Sequence, residues 1–222
     1  MTEPLHVSEL FYSIQGESTW AGLPCLFVRL AGCNLRCAYC DACYAWQEPG
    51  TPMTVEEILA WAASTPGVPV EITGGEPLLQ TAAYPLMRAL LREGREVLLE
   101  TNGSLVLDRV PEAVRIIMDI KCPGSGMADR NLPDNLAVLR GRRERSCRDE
   151  IKFVLSSEDD FHWARELVAR TGLAAMHPIL FSPVRPLLDP AALAELLLAY
   201  RLPVRLQLQL HTLLWPEKTR GA

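Results

Sequence analysis

Apolar and polar positions follow two periods along this chain. Short apolar runs of strand length recur at 24–31, 68–73, 95–101, 114–120, 150–155, 176–182 and 204–210. Segments with apolar side chains at three- and four-residue spacing separate most of them. Thr54-Val55-Glu56-Glu57 has capping-box spacing and predicts a helix running to about Ser64. Residues 78–93 carry a helical stripe that stops at Gly94, with Pro85 expected to bend or shorten it. Ser157 is placed to cap a helix through Arg170 that Gly172 ends, and Asp189-Pro190 opens another through Tyr200.

Strand then helix, repeated, predicts an α/β fold with a mostly parallel sheet and right-handed crossovers. The number of strands suits a partial (β/α) barrel or an open doubly wound sheet, and periodicity does not separate the two. In both, ligands gather at the C-terminal ends of the strands. The notable segments fall there: a cysteine loop after 24–31, Thr73-Gly74-Gly75-Glu76-Pro77, Glu100-Thr101-Asn102-Gly103, and Asp119-Ile120-Lys121. No internal repeat, low-complexity tract or Pro/Ser-rich linker interrupts the pattern, so residues 1–222 are read as one domain.

Composition narrows the picture. At 49% hydrophobic and 22% charged residues, the chain can bury a sizeable core, which excludes disorder for most of it. A net charge of −5 argues against direct nucleic-acid binding, which needs an excess of Lys and Arg. No apolar run reaches the roughly 18 residues of a membrane span. The start, Met1-Thr2-Glu3-Pro4, lacks a signal-peptide pattern. The expectation is a soluble, cytoplasmic protein without a membrane partner. Seven cysteines are many for such a chain, and four crowd between Cys33 and Cys43. An odd count in a reducing compartment favours metal chemistry over disulfides.

Cys33, Cys37 and Cys40 are spaced C-x3-C-x2-C. Three thiolates can hold three irons of a cubane cluster and leave the fourth iron open to another ligand. Soft thiolates also suit zinc, with Cys43 as the fourth ligand of a structural site. Buried thiols acting as small hydrophobes are the third reading.

This loop, with Tyr39 just before its last cysteine and Gly74-Gly75-Glu76-Pro77 following, resembles the radical S-adenosylmethionine superfamily. The resemblance implies a 4Fe-4S cluster on Cys33, Cys37 and Cys40. It implies S-adenosylmethionine bordered by Tyr39, Asp41, Gly75, Asp119, Ile120 and Lys121. Further along, Phe11-Tyr12-Ser13-Ile14-Gln15-Gly16-Glu17, Gly22-Leu23-Pro24, Phe27-Val28-Arg29 and a final Arg205-Leu206-Gln207-Leu208-Gln209-Leu210-His211 look like the 7-carboxy-7-deazaguanine synthase family. That likeness covers nearly the whole chain. It implies a partial (β/α) barrel of the radical type, usually a homodimer, acting as a carbon–nitrogen lyase in queuosine and 7-deazapurine biosynthesis. The implied substrate is 6-carboxy-5,6,7,8-tetrahydropterin, contracted by radical chemistry to 7-carboxy-7-deazaguanine with loss of ammonia. The chemistry is then carried by the cofactor rather than by a catalytic side chain, with electrons from a flavodoxin- or ferredoxin-like donor. The implied substrate residues are Ile14, Gln15, Gly16, Arg29, Thr73 and His211, with Gln15 pairing a pterin edge. Glu17 would accept from the amino group, and Arg29 would grip the carboxylate as a bidentate fork.

Two positions depart from the family pattern. Thr212 stands where lysine is common, and Ala42 where a threonine hydroxyl helps bind magnesium near the substrate carboxylate. A Mg²⁺ ion would therefore have one protein ligand fewer. Plainer readings stand beside the functional ones. Arg29 suits a structural ion pair, Gln15 and Glu17 a solvated loop, and His211 a satisfied core histidine. His6, His162 and His177 are read as structural, and Cys25, Cys122 and Cys147 as outside the cluster. Arg140-Gly141-Arg142-Arg143-Glu144-Arg145 reads as a solvated turn rather than an RNA patch. A glycyl-radical activase shares the cysteine loop and Gly-Gly-Glu-Pro, but would not predict Gln15 and Glu17 together with Arg29.

Overall fold

Strand β1 (Leu5–Ile14) pairs antiparallel with β2 (Pro24–Leu30), and β3 (Thr51–Met53) pairs antiparallel on the other side of β1. From β2 onward every pairing is parallel: β4 (Val70–Gly74), β5 (Val97–Thr101), β6 (Arg115–Asp119), β7 (Glu150–Leu155), β8 (Ile179–Pro183) and the two-residue β9 (Arg205–Leu206). This computed structural model describes residues 3–145 and 148–221, and the reading of Cys147 lies outside them. The sheet runs β3-β1-β2-β4-β5-β6-β7-β8-β9, with β3 and β9 as separate edges. It is an unclosed, partial barrel. Among the described residues no helix is long and apolar enough to cross a membrane.

Side chains alternate across the sheet with a period of two. In the parallel register Val28, Ile72, Leu99 and Ile116 lie side by side and bury in one apolar cluster, along with Phe153 and Phe181. The neighbouring positions point the other way: Arg29 and Glu71 with Thr73, then Glu100, Asp119 and Lys152. One face makes the core and the other a charged interior.

The helices are α1 (Tyr44–Gln47), α2 (Val55–Ala63), α3 (Ala83–Arg92), α4 (Asp134–Glu144), α5 (Glu158–Thr171), α6 (Pro190–Tyr200) and α7 (Leu210–Leu214). Thr54 closes both arms of its capping box: its side chain accepts from the Glu57 amide at 3.2 Å, and the Glu57 carboxylate accepts from the Thr54 amide at 2.7 Å. Ser157 accepts from the Asp160 amide, and Gly172 ends α5 at φ 67°. Asp189 accepts from the amides of Ala191 and Ala192.

Four expectations need correction. Residues 78–93 are not one helix: a 3-10 turn (Pro77–Leu79) precedes α3, so Pro85 falls in the first turn, where its missing N–H is not needed. The run 204–210 gives only β9 before α7, because the chain leaves the sheet edge there and the Leu210 amide donates to the Gly16 carbonyl at 3.0 Å. Residues 140–145 are no solvated turn. Most belong to α4, and Arg142 is buried, paired with Asp149 at 2.7 Å and donating to the carbonyls of Val110 and Val114. β1 is a strand that the apolar runs do not predict: its burial pattern mixes buried, half-buried and exposed positions without strict alternation.

Candidate active site

The charged interior opens at the C-terminal strand ends into a cavity of about 360 Å³, within the usual range for a small-molecule site. Cys33, Cys37 and Cys40 all line it. The loop that carries them is braced by backbone. The Gly75 amide donates to Leu30 at 3.2 Å and the Glu76 amide to Gly32 at 2.8 Å. A Cβ on Gly75 would overlap the Gly32 carbonyl and crowd Cys33, so only glycine permits this approach. Glu76 is fully buried and accepts from Thr101 Oγ1, the Asn102 amide at 2.8 Å and the Leu78 amide at 3.0 Å. It locks the Gly-Gly turn and does not face the cavity. Asn102 Nδ2 donates to Cys33 Sγ at 3.8 Å and to Asn34 Oδ1 at 3.2 Å.

Three thiols lining one cavity suit a cubane, which takes each thiolate at a different iron. Among the described residues no three His, Cys, Asp or Glu side chains converge on a single metal ion, as a zinc site requires. Cys43 does not line the cavity; its thiol donates to the Cys40 carbonyl at 3.2 Å. Burial pushes the Cys37 thiol up and the Cys40 thiol up to about 11. A bound cation would oppose this by stabilising the thiolates. Ala42 lines the cavity with a methyl group, so neither Ala42 nor Cys43 offers a side-chain oxygen to magnesium.

Beside the thiols, Tyr39 donates its hydroxyl to the Val154 carbonyl at 2.9 Å, which fixes its ring at the cavity edge. Asp41 also borders the cavity. Lys121 pairs with Asp119 Oδ2 at 2.7 Å, and Asp119 Oδ1 is buried without a partner among the described residues. That orphaned acceptor points to a missing donor. The Ile120 side chain lies in the apolar core, and its amide donates to the Lys152 carbonyl.

A chain of ion pairs also lines the cavity. Lys152 Nζ lies 2.7 Å from Glu17 Oε2 and also pairs with Glu100. Thr73 Oγ1 donates to Glu100 Oε2 at 3.0 Å. Burial opposes ionisation of Glu100, yet Lys152 and Thr73 hold its pKa down at about 2. Glu71 has the reverse balance: burial and the Glu100 charge push it well above the ordinary carboxylate value. Gln15 is engaged on all sides. Its Nε2 donates to Glu71, its Oε1 accepts from the Glu17 amide at 2.9 Å, and its backbone pairs with Leu23 and Gly22. It therefore orders the wall before any pterin edge arrives. Glu17 also accepts from Gln209 Nε2 at 2.9 Å, so the solvated-loop reading of Gln15 and Glu17 is overturned. Arg29 lines the cavity with Nε bound to Glu9 Oε1 at 2.8 Å. Burial works against its charge, while Tyr44 and Glu9 hold its pKa above the ordinary value. His211, on α7, packs against Gly16, where a Cβ would crowd its Nδ1. Ile14, Gly16, Thr73 and His211 all line the same cavity.

The sequence does not single out Glu9, Tyr44, Glu71 or Lys152, whereas Glu100 and Gln209 fall within segments it marks but carry no assigned role there. Glu71 and Lys152 carried a readable signal, charges at alternate positions inside apolar runs. Glu9 and Tyr44 carried none.

A partial barrel with three thiols set against a glycine backbone at its strand ends defines a radical S-adenosylmethionine enzyme, and a family model described as Radical SAM superfamily matches residues 28–124. Relatives from Chlorobaculum tepidum and Koribacter versatilis, both named 7-carboxy-7-deazaguanine synthase, are 48% and 41% identical. The matches cover 98% of this chain in each case, and 97% and 100% of the relatives. The chain belongs to the 7-carboxy-7-deazaguanine synthase family. The crystal structure of QueE from Escherichia coli shares the fold, with a TM-score of 0.73, 24% identity and coverage of 93% of this chain and 94% of that one. Streptococcus suis SuiB bound to S-adenosylmethionine shares it more distantly, at a TM-score of 0.58 and 17% identity over 84% of this chain and 50% of that one.

Proposed function

We propose that this chain converts 6-carboxy-5,6,7,8-tetrahydropterin to 7-carboxy-7-deazaguanine with loss of ammonia, as a carbon–nitrogen lyase. The observation that carries this reading is one cavity lined both by three cluster-spaced thiols and by the Glu17–Lys152–Glu100 array with Arg29. Cys33, Cys37 and Cys40 would hold a 4Fe-4S cluster. With S-adenosylmethionine, that cluster supplies the one-electron chemistry that removes a hydrogen atom from the substrate. The chain's own residues bind, orient and shield. The backbone at Gly75 approaches the cofactor, Asp119 Oδ1 is the open acceptor for one of its donors, and Tyr39 borders it. Arg29 takes the substrate carboxylate with its guanidinium fork. Ile14, Gly16, Thr73 and His211 shape the pterin pocket, and Gln15 and Glu17 hold its polar edge. No step is assigned to magnesium.

Residues 1–222 act here as one domain, in a cytoplasmic homodimer served by a flavodoxin- or ferredoxin-like donor, without membrane or nucleic-acid contact. The test is anaerobic reconstitution followed by incubation with reductant, S-adenosylmethionine and the carboxypterin. Iron and sulfide with formation of 7-carboxy-7-deazaguanine are expected. A colourless protein holding a single zinc, or cofactor cleavage with no deazapurine, would overturn the reading.

A further inference from the structure

Glu9 is a single carboxylate serving three donors from three parts of the chain. Its Oε1 accepts from Arg29 Nε at 2.8 Å and from the Tyr44 hydroxyl at 2.6 Å. Its Oε2 accepts from the Gly221 amide at 3.1 Å. Arg29 is the cationic residue assigned to the substrate carboxylate, and among the described residues neither of its Nη atoms has a hydrogen-bond partner. Gly221 belongs to a C-terminal segment whose Trp215, Lys218 and Arg220 line the same cavity. The Arg220 guanidinium lies 4.4 Å from the Tyr44 ring centroid, and that of Arg29 lies 5.9 Å from the same centroid. Apart from Glu9, the segment is held by the Arg220 contact with the Tyr44 ring and by an exposed Arg220–Glu48 pair, the latter a kind of contact that adds little stability.

We propose that Glu9 is a positioning residue for substrate recognition: it aims the Arg29 fork into the cavity and latches segment 215–221 against it. A carboxylate-bearing heterocycle on Arg29 and the closed C-terminal segment then support each other, because both depend on one carboxylate. A mere charge partner for Arg29 would have no reason to hold Gly221. The proposal rests on the functional reading above for the identity of the ligand.

Two measurements on the anaerobic, reconstituted enzyme test it. Trypsin cuts after Lys218 and Arg220, so intact mass reads release of the C-terminal segment. Carboxypterin should slow this trimming several-fold in the wild type. Glu9→Gln should be trimmed several-fold faster without substrate and should lose the protection. Its KM should rise about tenfold, the scale for a lost hydrogen bond to a charged group, with kcat changed less than about twofold. Tyr44→Phe, which keeps the ring and removes one donor to Glu9, should move both readouts in the same direction by less. Wild-type KM in Glu9→Gln would overturn the positioning role, and a raised KM with unchanged trimming would overturn the latch. If the wild type forms no deazapurine, the functional reading fails, while substrate-free trimming still decides whether Glu9 holds the segment.

Discussion

Replacing Lys152 by Met should expose how the charged interior contributes to stability. The Lys152 side chain is only 5% exposed and carries both Glu17 and Glu100. Burial alone would raise the Glu100 pKa, yet it lies at about 2 against an ordinary 4.5. At about 1.4 kcal/mol per pH unit, that depression corresponds to about 3 kcal/mol of stability at neutral pH. The sign follows from the direction. A carboxyl held low in the fold contributes fully above its unfolded pKa, and the contribution is lost as pH falls through the folded one. Lys152→Met should therefore cost up to about 3 kcal/mol near pH 7, since Thr73 and Arg29 share in holding the pKa down, and the gap to wild type should shrink as pH drops through the carboxylate range towards 2. Urea unfolding of cluster-free protein, followed by tryptophan fluorescence across this range, measures it. A loss below about 1 kcal/mol at neutral pH, or a gap that ignores pH, would refute the reasoning.

Other substitutions probe the cofactor wall. Ala at Cys33, Cys37 or Cys40 should abolish iron loading and S-adenosylmethionine cleavage, whereas Cys43→Ala should keep its iron, because that thiol is turned to the Cys40 carbonyl; equal iron loss in all four would overturn the ligand set. Gly75→Ala should lower both thermal stability and cluster content, since its Cβ overlaps the Gly32 carbonyl; a variant that melts and loads iron like wild type contradicts that contact. Ala42→Thr should tighten apparent Mg²⁺ affinity in chelator-treated enzyme by restoring an oxygen ligand; equal affinity in wild type would show that other groups hold the ion.

The elements legible in the sequence were those whose signal is local. Thr54 with Glu57, Ser157 with Gly172, and Asp189 before Pro190 mark helix ends through short-range hydrogen bonds, and the buried parallel strands announce themselves as apolar runs. The cysteine loop and Gly74-Gly75 were legible because each motif sits within a few residues. The rest depends on distant partners. Arg142 reads as one more solvated arginine until Asp149 and the carbonyls after Val110 close around it. β1 hides its strand in mixed polarity because one side of it faces the polar site. Glu9 touches Arg29, Tyr44 and Gly221 across up to 212 positions of sequence separation, which no pattern of spacing can reveal.

The alternation that sends Glu71, Glu100 and Lys152 inward also polices assembly. Slipping any one of these strands by a single residue against its neighbours would turn its charges into the layer now filled by Ile72, Leu99 and Phe153. Burying even one unpartnered charge there costs several kcal/mol, against the roughly 5–15 kcal/mol that keep a whole domain folded. A misregistered sheet is thus heavily penalised before any ligand arrives. The residues that give the cavity its polarity act during folding as a checksum on strand alignment. Neutralising them one by one for the sake of a greasier pocket would erode that check even where each single variant still folds.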